Sequence, residues 1–363
     1  MENTKVLHIS FGGLANGGVS AVIFSITENL ADRFDFGCVV FSKKGVSEER
    51  FEKCGKLYRV NCYIPGSFTE KIVRPFRMYH QIKKICKQEH FDVIHCHNGE
   101  EEAFALLAAK HAGVKTRIAH SHNTNSPRKR SFIKDVYRRI LLRSINKNAT
   151  VKVVCSKQAA IDFFGAAEDC VVIENSVNFD KFYQDRKDEE SQLRFVHVGR
   201  YDYQKNQEFV LDVFSVIHQK YPNSSLRLVG FGADEETLRR KTLDLDLLDS
   251  VTFVPGDTDI PSEYKNADYM IFPSRYEGFG IVLIEAQLSG VYCFVSEFIQ
   301  PEANAGFLQQ LSLNDSAEAW ANVIIAYHTA NPKKAENKKE FYNSYRTDVV
   351  SDKYGELYDG SRK

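Results

Sequence analysis

Two α/β domains, each a doubly wound and mainly parallel sheet, are what the sequence predicts. Three observations carry this. Short apolar runs recur along the whole chain, as strands buried on both faces require. Stretches of helical periodicity separate them, which is the alternation of a parallel βαβ build. One acid-rich polar segment breaks the pattern near the middle, and 363 residues is long for one core but comfortable for two.

In the first half the strand-like runs are 5–10, 37–42, 57–61, 92–96, 117–120, 151–155 and 171–173. Helical stretches fall at 18–30, 72–88, 101–112 and 133–146. The polar stretch 180–192, with four acids in 185–190, is the expected linker. The alternation then restarts. Strands are expected at 194–198, 225–229, 251–254, 269–273 and 292–296, and helices near 208–220, 234–242, 281–289 and 317–328. The expected domains are 1–183 and 193–344, joined by 184–192. Ligands of such sheets sit outside the carboxyl ends of the strands, so a cleft between the domains is the expected site.

Composition narrows the class. The hydrophobic fraction of 43% and charged fraction of 26% are those of a soluble globular protein. No apolar run approaches the length of a membrane span, and the start lacks the apolar core of a signal peptide. The eight cysteines are scattered without a CxxC pair, which fits buried thiols in a reducing compartment. The expected location is the cytoplasm. Charge is uneven: the first 180 residues carry a net +8 and the remainder −8, so a basic face on the first domain is expected to meet acidic ligands or a membrane surface. Helix-like stretches within 71–87 and 128–147 hold much of that charge. Their default reading is an ordinary amphipathic surface helix, with contact to anionic lipid headgroups or a lipid-diphosphate acceptor as the alternative.

The segment Ser274-Arg275-Tyr276-Glu277-Gly278-Phe279-Gly280-Ile281-Val282-Leu283-Ile284-Glu285 is the most informative. A strand, a glycine-containing loop and a helix start make an anion site, because the first N–H groups of a helix have no internal partner. Glu277 and Glu285 flank that site, an arrangement suited to a ligand with phosphates and hydroxyls. The acids read as binding groups, since their spacing does not establish a hydrolase pair. A second constellation, Gly199-Arg200 followed by Lys205-Asn206, puts two cations at a strand exit where they could straddle a diphosphate. Gly17 and Gly18 open a helix after the first strand, but no GxGxxG is present. His120 and His122 end another strand, and His95 and His97 repeat the spacing. No carboxylate or cysteine completes a ligand set, so no metal site is expected. Packing or a solvated loop is the reading for His95 and His97.

Taken together, these residues resemble the retaining glycosyltransferases of family 4, which have the GT-B fold. The resemblance covers nearly the whole chain, and its most specific element is Glu-x7-Glu, matched by Glu277 through Glu285. It implies two Rossmann-like domains facing across a cleft, with a helix from about Tyr345 to 363 crossing back to the first. It also implies roles. Arg200 and Lys205 hold the donor diphosphate, and Gly17, Gly18 and Gly199 come close to it. Glu277 meets the transferred sugar, while Gly278, Phe279, Gly280, Ile281 and Val282 offer backbone to sugar and phosphate. Glu285 takes the ribose hydroxyls, Val254 and Pro255 the base, and His122 is the cleft histidine. His122, Glu277, Arg200 and Lys205 are the expected catalytic set.

The activity implied is metal-independent transfer from a nucleotide-diphosphate sugar, UDP-linked by expectation, with no separate cofactor. The acceptor is a saccharide or a lipid-linked sugar in surface polysaccharide or glycolipid synthesis. Peripheral membrane contact through the basic domain is implied, and nucleic acid is not. The alternatives are a non-catalytic sugar-nucleotide-binding subunit and a nucleotide-dependent oxidoreductase. Two departures stand out: Glu174-Asn175-Ser176-Val177-Asn178 replaces the family's Pro-Asn-Gly-Val-Asp, and Gly290-Val291-Tyr292 replaces Gly-Leu-Pro.

Overall fold

A computed structural model describes residues 3–11, 13–14, 17–41, 45, 47–60, 68–97, 99–122, 131–184, 192–331 and 339–360. The chain divides into two compact units, Met1–Ser176 with Thr347–Lys363, and Val177–Arg346. In the first unit the elements are β1 (Thr4–Ser10), α1 (Gly18–Leu30), β2 (Phe34–Val40), α2 (Glu48–Phe51), β3 (Gly55–Arg59), α3 (Phe68–Glu89), β4 (Val93–His97), α4 (Glu102–Ala112), β5 (Thr116–Ser121), α5 (Phe132–Asn148), β6 (Val151–Val154), α6 (Lys157–Phe164) and β7 (Val171–Val172). The second holds α7 (Phe179–Phe182), β8 (Arg194–Val198), α8 (Gln207–Lys220), β9 (Ser225–Val229), α9 (Glu235–Asp244), β10 (Val251–Val254), α10 (Ile260–Lys265), β11 (Tyr269–Phe272), α11 (Ile281–Leu288), β12 (Tyr292–Ser296), β13 (Leu308–Leu311) and α12 (Ala317–Ala330). The last helix, α13 (Thr347–Asp359), counts with the first unit.

The first sheet runs β3-β2-β1-β4-β5-β6-β7 and the second β10-β9-β8-β11-β12-β13. Strand pairings in both are parallel. Central strands are largely apolar because helices cover both faces, and β4 and β11 are buried at every position, the two histidines of β4 included. Strand order reverses between β1 and β4 and between β8 and β11. Those reversals are the topological switch points where loops diverge and leave a crevice.

α13 supplies Tyr354 and Tyr358, both under 2% exposed, to the first core. Tyr358 packs edge-on against Phe34 at 5.3 Å, and Ser351 Oγ donates to the Ser25 carbonyl. The passage between units corrects the expected linker. It falls at Ser176 and Val177, ahead of 184–192, because the next residues are fastened to the second unit. Ser289 Oγ donates to the Phe182 carbonyl at 2.8 Å, and the Gln184 N–H to Leu288. Residues 185–191 of the expected linker lie outside the described residues.

His95 and His97 also correct the alternative of a solvated loop: both lie in β4 and are buried. Of the seven free cysteines described, five are buried. Cys62 lies outside the described residues. Among the described residues no helix is long and apolar enough to cross a membrane.

Candidate functional site

The carboxyl ends of β8 and β11 meet at a switch point, and the two loops there are stitched together. Arg275 donates its N–H to the Gln204 carbonyl at 2.8 Å. Gln204 Nε2 donates to the Tyr276 carbonyl at 2.9 Å and Asn206 Nδ2 to that of Pro273 at 3.2 Å. Asn206 adopts φ 57° at the start of α8, a left-handed conformation that asparagine tolerates better than most residues.

This stitching brings Lys205 Nζ to 2.5 Å from Glu277 Oε1. The lysine also lies 4.5 Å from the centre of the Phe272 ring. Gly199 makes the approach feasible: a Cβ there would sit 3.3 Å from three methylenes of Lys205. Arg200 is not drawn into the pair. Its side chain is 68% exposed and lies 3.4 Å from Asp202.

Beyond Glu277, Gly278 and Phe279 are buried, so Phe279 presents backbone while its ring joins the core. Gly280 caps α11 at φ 82°, with no side-chain cap bond. The first N–H groups of α11, at Ile281 and Val282, have no acceptor within the helix and carry its positive dipole end. Glu285 lies one turn on. Burial raises its pKa from 4.5 to about 7, against the pull of the Tyr264 hydroxyl and Lys181. The ends of β9 and β10 continue the row: Gly230 donates to the Val254 carbonyl and Thr258 to that of Pro255. Each of those carbonyls keeps a second lone pair.

In the first unit Gly17 caps α1 and Gly18 begins it. Among the described residues a Cβ at either would meet nothing within 4 Å, and both are exposed. Gly12, Ala15 and Asn16 lie outside the described residues, as does Asn123. His122 directly follows β5, inside a group of five buried histidines with His8, His95, His97 and His120. The rings form two hydrogen-bonded chains. One runs from His8 Nδ1 to His97 Nε2 at 2.9 Å, and from His97 Nδ1 to His122 Nε2 at 3.0 Å. The other runs from the Tyr358 hydroxyl to His95 Nδ1 at 2.7 Å, and from His95 Nε2 to His120 Nδ1 at 3.1 Å. Burial holds all five pKa values down, to about 3 for His8 and His122.

One nitrogen from each of His97, His120 and His122 lies within 4.8 Å of the others, and the same is true of His8, His95 and His97. The His95 and His97 rings stack with centroids 4.1 Å apart, whereas those of His120 and His122 are tilted by 32° at 3.8 Å. In both chains the facing ring nitrogens lie at hydrogen-bond distance, so each lone pair there meets an N–H of the next ring and is not turned toward an ion. The group therefore reads as neutral imidazoles bonded to one another.

The structure thus gathers Gly199, Lys205, Glu277 and the 278–282 backbone at one end of the second sheet, with Val254 and Pro255 on the same edge. Gly17, Gly18 and His122 belong to the first unit. The sequence reading missed His8, Tyr264 and Gln287. Gln287 is fully buried. It accepts from the Ala305 and Phe307 N–H groups and donates to the Leu283 and Ala303 carbonyls, pinning the 296–306 loop to α11. Its signal was a second polar residue, after Glu285, within a mostly apolar helix. The altered 174–178 segment keeps one function, since Asn178 Oδ1 accepts from the Lys181 N–H, and asparagine caps a helix as well as aspartate does.

Residues 178–339 match the family described as Glycosyl transferases group 1, and residues 16–181 match Glycosyltransferase Family 4. The capsular polysaccharide biosynthesis glycosyltransferase CapH of Staphylococcus aureus is 25% identical over 78% of each chain. An Escherichia coli enzyme, UDP-Gal:alpha-D-GlcNAc-diphosphoundecaprenol alpha-1,3-galactosyltransferase, is 26% identical over 70% of each. In fold, the chain matches Anabaena Alr3699/HepE, solved in complex with UDP and glucose, at a TM-score of 0.78 and 18% identity, covering 99% of this chain and 100% of that one. The two family models run almost end to end, and the group 1 model spans the Lys205 and Glu277 loops that the fold brings into contact. The chain is a member of the family 4, or group 1, glycosyltransferases and has their GT-B fold.

Proposed function

We propose that this glycosyltransferase moves a sugar, with retention at the anomeric carbon, from a UDP-sugar to a saccharide or lipid-linked acceptor of surface polysaccharide synthesis. The observation that carries the proposal is the contact between Lys205 and Glu277 beside the start of α11. It sets a cation, a carboxylate and free helix N–H groups within reach of one diphosphate sugar. The UDP donor is supported by the HepE complex and by the E. coli relative's name, and the polysaccharide setting by CapH.

Lys205, Arg200 and the α11 N-terminus would meet the charge that develops on the leaving diphosphate, the task a divalent cation performs elsewhere. Transfer is therefore assigned as metal-independent, with no cofactor beyond the donor. The bond between the anomeric carbon and the diphosphate oxygen breaks. The acceptor oxygen bonds to the same face of that carbon, and its hydroxyl proton ends on the leaving phosphate. Glu277 orients the sugar, Glu285 the ribose, and the Val254 and Pro255 backbone the base. Gly17 and Gly18 are assigned to the phosphates, and His122 to the acceptor side through Nδ1, which has no partner among the described residues.

Work at the cytoplasmic face of a membrane follows from a lipid-linked acceptor. A panel of nucleotide sugars, read by nucleoside-diphosphate release with the purified chain, tests the assignment. Release from one UDP-sugar and none from the others is expected; release from none, with or without lipid-linked acceptors, would contradict it.

A further inference from the structure

Helix α5 has two apolar faces, and only one is covered. Leu141 and Ile145 are buried, whereas Phe132 and Ile133 are each 80% exposed, Ile140 56%, Tyr137 52% and Val136 38%. Ile133, Val136, Tyr137 and Ile140 stand at i, i+3, i+4 and i+7, one continuous stripe. An ordinary surface helix turns its only such stripe inward. Among the described residues fifteen large apolar side chains are exposed, and five lie in these nine positions, so this is a patch and not scatter.

Helix α3 extends it with Phe76, 65% exposed, and Val73. Both helices pack on α4 and are tied to adjacent residues ahead of it: Arg74 to Glu101 at 2.9 Å and Arg138 to Glu100 at 3.0 Å. The two apolar groups therefore flank the same end of α4. The charge is one-sided. α5 holds five basic residues and one acid, and Arg139, Arg143 and Lys147 are exposed in an i, i+4, i+8 row that runs along one side of the stripe.

We propose that the exposed face of α5, with Val73 and Phe76 of α3, docks the first unit on an anionic lipid bilayer. Ile133, Ile140 and Phe132 enter the boundary between headgroups and acyl chains, Tyr137 sits at headgroup level, and Arg139, Arg143 and Lys147 reach the phosphates. A second copy of this chain fits the face less well, because a two-fold contact would set these cations against themselves. The inference extends the reading of a lipid-linked acceptor by giving the enzyme its place on the membrane.

Cosedimentation of the full chain with phosphatidylcholine vesicles, with and without phosphatidylglycerol, tests it. The chain binds the anionic vesicles and is released by salt. Ile133→Ser with Tyr137→Ser weakens binding by about tenfold or more. Arg139→Glu with Arg143→Glu does likewise, since each basic residue near an anionic surface contributes about fivefold. Donor hydrolysis in vesicle-free buffer is unchanged in both variants. Failure of the parent chain to sediment with anionic vesicles, or equal binding by either variant, overturns the proposal. So does a dimer in analytical ultracentrifugation that the stripe variant dissociates. If the chain binds vesicles but hydrolyses no donor, the docking face stands and the transfer reading falls.

Discussion

Lys205 Nζ donates to Glu277 Oε1 across 2.5 Å, although 72 residues separate them in sequence. Their side chains are only 14% and 8% exposed. The cation assigned to the diphosphate and the acid assigned to the sugar therefore compensate each other in this structure. A bound donor would part them, with phosphate oxygens taking the ammonium and sugar hydroxyls the carboxylate. The site is thereby preorganised without burying a bare charge.

The pairing predicts coupled stability. Lys205→Met leaves a shielded carboxylate without its cation and should cost about 1–3 kcal/mol. Adding Glu277→Gln should recover much of that loss, with a coupling of about 0.5–3 kcal/mol. Urea melts of the two single variants and the double variant measure it. Strictly additive losses would mean that the contact carries no energy.

Glu285 sets a pH dependence. Its folded pKa, about 7, lies above the ordinary 4.5, so the folded chain binds more protons between those values. Stability from this group is thus lost as pH rises from 4.5 through 7. Glu285→Gln should stabilise the chain at pH 8 by at most about 3 kcal/mol, less for partial solvation, and have little effect near pH 4. Ribose hydroxyls donate to a carboxylate, so donor KM should fall as pH rises through about 7, a trend absent from Glu285→Gln.

The histidine group has the opposite sign. His8 and His122 have folded pKa values of about 3 against 6.5, and those of His95, His97 and His120 also lie well below 6.5. The unfolded chain therefore binds more protons below 6.5, and stability falls with pH there. Each group should cost about 1.4 kcal/mol by pH 5.5, about 7 kcal/mol for all five. Thermal melts at pH 7.5 and 5.5 should show a Tm drop of many degrees. A nearly unchanged Tm would mean that the imidazoles take up protons in place.

Gly230 is held at φ +155°, and a Cβ there would lie 2.0 Å from the Gly199 carbonyl oxygen. Backbone cannot yield as a side-chain tip can. Gly230→Ala should therefore cost more than about 3 kcal/mol and displace Gly199, lowering donor binding with stability. Calorimetry of the variant checks this.

The alternation of strands and helices was legible because strands buried on both faces read as unbroken apolar runs. β13 was missed because its half-exposed edge carries Gln309 and Gln310 and shows no such run. α2, α7 and α10, at four to six residues, are too short for periodicity to register. The Lys205 and Glu277 loops were recognised by motif, but their contact depends on β8 lying beside β11, which no local pattern states. The histidines show the same limit. Spacing of two puts His95 with His97 and His120 with His122 on one face, but His8 joins them only through the β1–β4 register that pairs it with His95.

The central claim is that Lys205 and Glu277 form one donor site, and nucleoside-diphosphate release from the correct sugar donor tests it most directly. Lys205→Ala and Glu277→Ala should each lower release by about a hundredfold or more, with circular dichroism unchanged. Parent-like release from both variants would contradict the assignment.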